Sequence, residues 1–168
     1  VKSDARMTIN FSAIGDGYIC DIIGQFLDSL GVQNYMIDVG GEVLAKGHNL
    51  QNEKWKIGIA EPTEDSSSDS ILRTILIDGR QGIATSGNYR NFYVKDGKKY
   101  GHTVNPFTGL PVEQDILSVT VMSNSCTLSD GIATAIMTMG REQFEKYKTR
   151  LPFINYLIIY SDENGYNY

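Results

Sequence analysis

Apolar residues recur at helical spacing over residues 18–30 (YICDIIGQFLDSL), where Ile19, Ile22, Ile23, Phe26, Leu27 and Leu30 share one face. The spacing predicts an amphipathic helix with that apolar face, stopped by Gly31. Residues 12–17 before it, with two glycines, read as a tight loop, and residues 7–11 alternate weakly as a strand. Residues 35–39 form a short apolar strand that ends in Gly40–Gly41–Glu42, and residues 43–46 continue it. Alternation returns over residues 55–59, 70–77 and 89–94. Residues 82–87 read as turn-rich, and Lys95–Asp96–Gly97–Lys98 carries the Asp-Gly hairpin signal. Residues 61–70 (EPTEDSSSDS) predict an exposed, mobile loop, and residues 102–111 a loop with two prolines. A charged helix over 142–150 and a strand within 151–160 follow. A turn at Glu163–Asn164–Gly165 then opens a further hairpin strand. Strands dominate and hairpin signals favour antiparallel pairing. The class is therefore α+β, an antiparallel-rich mixed sheet with packed helices, in a single domain over 1–168.

The segment 118–140 (SVTVMSNSCTLSDGIATAIMTMG) runs from a β-branched strand through a polar turn into a helix rich in small residues. Ser129 and Asp130 are placed at the helix start, and Asp130 and Thr134 lie one turn apart on one face. Two readings stay open. An acid near a helix start complements the dipole; a carboxylate beside a hydroxyl also offers two oxygen ligands to a hard cation such as Mg²⁺.

Composition narrows the class. The chain has 168 residues, enough for one core, and a formal net charge of -5, which argues against a nucleic-acid surface. No apolar run is long enough to span a bilayer. Cys20 and Cys126 have neither a metal spacing nor a disulfide framework and read as small buried residues. The start, VKSDARMTINF, lacks an initiator Met and a signal peptide and reads as a fragment or a processed product.

Four segments are rich in Gly, Ser, Thr and short acids: 12–17, 40–42, 85–88 and 102–109. Glycine loops let the backbone approach a ligand, and exposed N–H groups cradle phosphate oxygens. Together with the Asp130–Thr134 pair they suggest a site for a phosphorylated ligand. His48 reads as exposed; His102, beside the proline turn, is either a proton carrier or a loop histidine bonded to a carbonyl.

Six segments, AIGDGYICD, MIDVGGEVLAKG, WKIGIAEP, ATSGNYRNFY, KKYGHTVNPFTGLP and SVTVMSNSCTLSDGIATAIMTMG, resemble in order and spacing the ApbE-like FAD:protein FMN transferases. The stretch GNYRNFYVKDGKKY is similar to versions from Bacteroidetes. The resemblance implies an ApbE-like (T-fold-like) flavin transferase domain, here N-terminally incomplete. It implies Mg²⁺-dependent cleavage of FAD, with FMN passed to a Thr or Ser hydroxyl of an acceptor flavoprotein subunit and AMP released. FAD hydrolysis to FMN and AMP, or a degenerate flavin-binding module, are the alternatives. By the same resemblance Asp130, Thr134 and the backbone carbonyl of Ala13 hold the metal, and His102 and Asp130 are catalytic. Gly40, Gly41, Glu42, Thr85, Ser86 and Gly87 line the flavin nucleotide, and Asp16 of the first loop is counted with them as cofactor-binding. The parent protein is expected in the periplasm or on a membrane through a lipid anchor outside this chain.

Three positions depart from the family pattern. Asp16 stands where relatives carry lysine. If it faces the pyrophosphate, the repulsion at ~4 Å and an effective dielectric of ~20 is roughly 4 kcal/mol before screening. Asn105 replaces a frequent Asp, and Gly131 a frequent Ala, at about 1 kcal/mol of helix propensity.

Overall fold

The computed structural model describes residues 3–6, 9–61, 70–87, 92–95, 98–101, 103–105, 108–110, 112, 115–163 and 165–168. Its frame is a six-stranded sheet, wholly antiparallel in its described pairings rather than mixed. The strands in spatial order are β1 (Tyr35–Val39), β2 (Glu42–Lys46), β5 (Arg80–Gly87), β8 (Ile116–Ser123), β9 (Asn155–Asp162) and β10 (Gly165–Asn167). Two hairpins stand apart from it, β3 (Lys56–Ala60) with β4 (Ile71–Leu76) and β6 (Phe92–Lys95) with β7 (Lys98–Gly101). The helices are α1 (Gly15–Ser29), α2 (Cys126–Met139) and α3 (Arg141–Tyr147), the last running into a 3-10 turn.

Side-chain alternation gives the sheet two covered faces. Val119 and Val121 of β8 meet Ala133, Ile136 and Met137 of α2, while Leu44 of β2 meets Cys20 of α1. On the opposite face Val43, Ala45 and Ile83 pack with Ile77, Trp55, Ile57 and Ile75, the last two from the β3–β4 hairpin. Cover on both faces leaves β8 buried along nearly its whole length, Ser118, Thr120 and Ser123 included.

The hairpin between β1 and β2 turns on two residues, Gly40 (φ 66°) and Gly41 (φ 105°), with Val39 opposite Glu42. Positive φ at both central positions is the backbone of a type I′ turn, where glycine carries no steric penalty.

Several expectations are corrected. Residues 82–87 are the interior of central strand β5. Gly82 is there because the backbone of Cys126 at the start of α2 crosses directly over it, leaving no room for a Cβ. Helix α1 begins at Gly15, so the loop before it is shorter and Asp16 lies in the first helical turn. Residues 9–11 are not a strand. The loop expected over 61–70 lies mostly outside the described residues.

The largest correction concerns which side of α1 is buried. Its buried residues are Gly17, Cys20, Asp21 and Gly24. Ile19, Ile22, Ile23, Phe26 and Leu30 are exposed, and of the expected apolar face only Leu27 packs against the core. The helix lies close to its neighbours: a Cβ on Gly24 would come within 2.5 Å of Leu44 Cδ2. Small residues allow that approach, and the bulky ones are left outside.

Candidate functional site

A cleft opens where four elements end together. Its lining includes Ser12 and Asp16 at the start of α1, the Gly40–Gly41–Glu42 turn, and Thr85, Ser86 and Gly87 at the end of β5. Asp130 and Thr134 of α2 close it, with Gly58, Ile59 and Ala60 of β3 as a further wall. Three of the four segments singled out from sequence thus meet at the Asp130–Thr134 pair. Only Gly40–Gly41 is a loop between strands; Glu42 opens β2, Asp16 is helical and Thr85–Gly87 is strand.

Helix α2 starts at Cys126, capped by Ser125, whose side chain accepts from Leu128 N. Asp130 is therefore beyond the first turn, and the reading of it as a dipole-complementing acid loses its basis. Its carboxylate is 7% exposed and accepts the Gly17 N–H through Oδ2 at 3.1 Å. Among the described residues Oδ1 has no hydrogen-bond partner. Thr134 Oγ1 pairs with Ser86 Oγ at 3.1 Å, and Thr85 Oγ1 with Thr120 Oγ1 across the β5–β8 ladder at 2.9 Å.

The cleft is acidic. Burial raises the Asp130 pKa, opposed by the Gly17 N–H and reinforced by Asp16. Glu42 is pushed up to about 7, first by burial and then by the charges of Asp130, Asp16 and Asp38. No Lys or Arg is among the described lining residues. The donor set fits a hard cation: a nearly buried carboxylate with one oxygen unbonded among the described residues, and a hydroxyl one turn on. Among the described residues no three His, Cys, Asp or Glu side chains gather as a metal cage.

Ala13 lies in the turn before α1, beside Ser12 but not itself in the lining. His102 falls outside the described residues. Of its loop, Asn105 holds a turn by donating N–H to the Leu110 carbonyl and accepting from Gly109 N. His48 is exposed, and Cys20 and Cys126 are fully buried. Gly58–Ala60 were not among the sequence candidates; a glycine inside a strand, as at Gly58, was the available signal. Asp21 was missed as well. It accepts from Cys126 N and Thr127 N at the head of α2 and ion-pairs with Arg80 at 3.3 Å.

Comparison with known proteins gives a consistent picture. The family model described as the ApbE family matches residues 1–158. An FAD:protein FMN transferase from Vibrio cholerae is 39% identical over 142 residues, 84% of this chain and 42% of its own length. One from Haemophilus influenzae is 30% identical over 165 residues, covering 98% and 47%. The structure of the flavin transferase ApbE from Vibrio cholerae superposes with a TM-score of 0.81 at 34% identity, covering 99% of this chain and 51% of that one. The apo flavinyl transferase ApbE of Pseudomonas stutzeri gives 0.79 at 32% identity, covering 95% and 48%. The chain spans about half the length of the relatives it matches.

Proposed function

The chain belongs to the ApbE family, and from that premise we propose that its cleft serves transfer of FMN from FAD to a protein hydroxyl. The acceptor Thr or Ser oxygen attacks the FMN phosphorus, the bond to the AMP phosphate breaks, and AMP leaves with the displaced oxygen. The observation that carries the reading is the Asp130–Thr134 pair facing an acidic cleft beneath the Gly40–Gly41 turn. With no basic side chain among its described lining residues, the cleft would repel a pyrophosphate unless a cation came with it.

Asp130 Oδ1, Thr134 Oγ1 and the Ala13 carbonyl are the proposed ligands of Mg²⁺. When bound, the metal supplies charge neutralisation at the pyrophosphate, the main requirement of phosphoryl transfer. The remaining work falls to the chain. Ser86 orients the Thr134 hydroxyl through their hydrogen bond. The side-chain-free turn at Gly40–Gly41 admits the nucleotide close to the backbone. By family resemblance, His102 takes the proton of the incoming hydroxyl. Gly17 holds Asp130 against rotation through its N–H.

Incubation of the chain with FAD, MgCl2 and a threonine-bearing acceptor peptide, followed by mass spectrometry, tests the reading. A peptide heavier by FMN, lost in Asp130→Ala, is the expected result. Free FMN and AMP without a modified peptide would make it a hydrolase. Turnover unchanged in Asp130→Ala would remove the metal assignment.

A further inference from the structure

The head of α2 is held from another helix. Of its first backbone N–H groups, Leu128 donates to the Ser125 side chain and Ser129 to the Ser125 carbonyl. The other two go to Asp21 of α1. Cys126 N donates to Oδ1 at 3.1 Å and Thr127 N to Oδ2 at 2.9 Å. The hydroxyls of Ser125 and Thr127 each donate to Oδ2 at 2.7 Å. Arg80 Nη2 meets Oδ1 at 3.3 Å. These bonds exhaust a carboxylate that is only 7% exposed. One turn earlier on the same face of α1, Gly17 donates its N–H to Asp130. Two residues four apart on α1 therefore grip α2 at its first turn and again at the residue four after it.

We propose that Asp21 is a positioning residue for the cleft: it fixes where α2 sits along its axis, and so where Asp130 and Thr134 present their oxygens to a divalent cation. The inference rests on the metal reading of that pair. A helix shifted at its head moves every residue it carries, and a metal site tolerates only a fraction of an ångström of ligand displacement. The role asks for a carboxylate: two backbone donors and two hydroxyls converge on one small side chain, which a charged acceptor satisfies best.

The test is divalent-cation affinity of the 168-residue chain, with Mn²⁺ as probe and its EPR signal reporting free metal. The variants are Asp21→Ala, Asp21→Asn and Asp130→Ala, with Ile159→Val as a core substitution that lowers stability outside the cleft lining. Asp21→Ala is expected to weaken Mn²⁺ binding at least tenfold. Asp21→Asn keeps one acceptor oxygen and should weaken it about threefold. Ile159→Val should leave it unchanged. If Asp21→Ala does not fold, Asp21→Asn decides. Affinity equal to the parent's in a folded Asp21 variant, with Asp130→Ala weakened, overturns the positioning role alone. Affinity unchanged in Asp130→Ala removes the metal reading and this inference with it.

Discussion

Helices α1 and α2 cross each other beside the cleft, yet they meet the rest of the molecule in opposite ways. Helix α2 buries its bulky apolar residues: Ile136 and Met137 sit in the core under β8, with Ala133 and Cys126 filling the closer contacts. Helix α1 buries Gly17, Cys20, Asp21 and Gly24 and turns Tyr18, Ile22 and Phe26 to the outside, Phe26 at 61% exposure. A helix with two candidate faces is seated by how closely its neighbours must approach. Here the approach is set by Asp130 and by the head of α2, which only small residues on α1 can accommodate.

The sharpest break of this comparison is truncation on each helix. Ile136→Ala empties a site that is 1% exposed and should cost about 2–5 kcal/mol, a large share of a typical domain's stability. Phe26→Ala should stay within about 0.5 kcal/mol in the same urea titration. A cost for Phe26→Ala comparable with that of Ile136→Ala would mean that the outer face of α1 is covered in solution, and sedimentation of the chain would show whether a second copy covers it.

Glycine-to-alanine exchange sharpens the same contrast at smaller scale. A Cβ on Gly17 would stand 2.8 Å from Asp130 Cβ and press on the Cys126 carbonyl. Overpacking of about 1–3 kcal/mol outweighs the helix propensity gained. On α2, a Cβ on Gly131 would meet only Ile14 Cγ2 at 3.1 Å, a methyl group that can give way. Gly131→Ala should therefore be neutral or stabilising by up to about 1 kcal/mol. Gly17→Ala should also weaken Mn²⁺ binding, since it displaces the carboxylate that Gly17 holds; unchanged affinity would show that this glycine serves packing only.

These two helices also show what was legible in the sequence. The Asp130–Thr134 spacing and the polar turn before α2 are local patterns, and local geometry fixes them; Gly40–Gly41 read only as a glycine loop with the strand continuing after it, whereas the chain reverses there into an antiparallel hairpin. The buried side of α1 was not legible, because a stripe of isoleucines and a stripe of small residues are both helix faces, and the choice between them is made by tertiary partners, from Leu44 beside Gly24 to Asp130, 113 positions beyond Gly17. Asp21 was invisible for the same reason: its partners, Ser125 to Thr127, lie 104 to 106 residues along the chain. In β5, Gly82 read as a turn because a glycine that admits a crossing helix and one that turns the chain look alike without the partner.

The smallest effect concerns the point between the two helices. Burial, reinforced by the charges of Asp130 from α2 and Asp16 from α1, raises the Glu42 pKa from 4.5 to about 7. The folded chain then holds a proton that the unfolded chain releases near 4.5. Stability contributed by that proton is lost as pH rises from about 4.5 through about 7. Glu42 is half-buried, so solvent screening holds the effect to the order of 1 kcal/mol. Glu42→Gln carries no charge, and its stability relative to the parent chain should climb across that window and level off above it. Urea unfolding of both chains at a series of pH values measures the difference, and subtraction removes the carboxylates they share. Excess MgCl2 should shrink the climb, because a cation held by Asp130 and Thr134 relieves the repulsion on ionised Glu42. A climb untouched by MgCl2 would leave burial, rather than the two helices' carboxylates, as the cause of the shift.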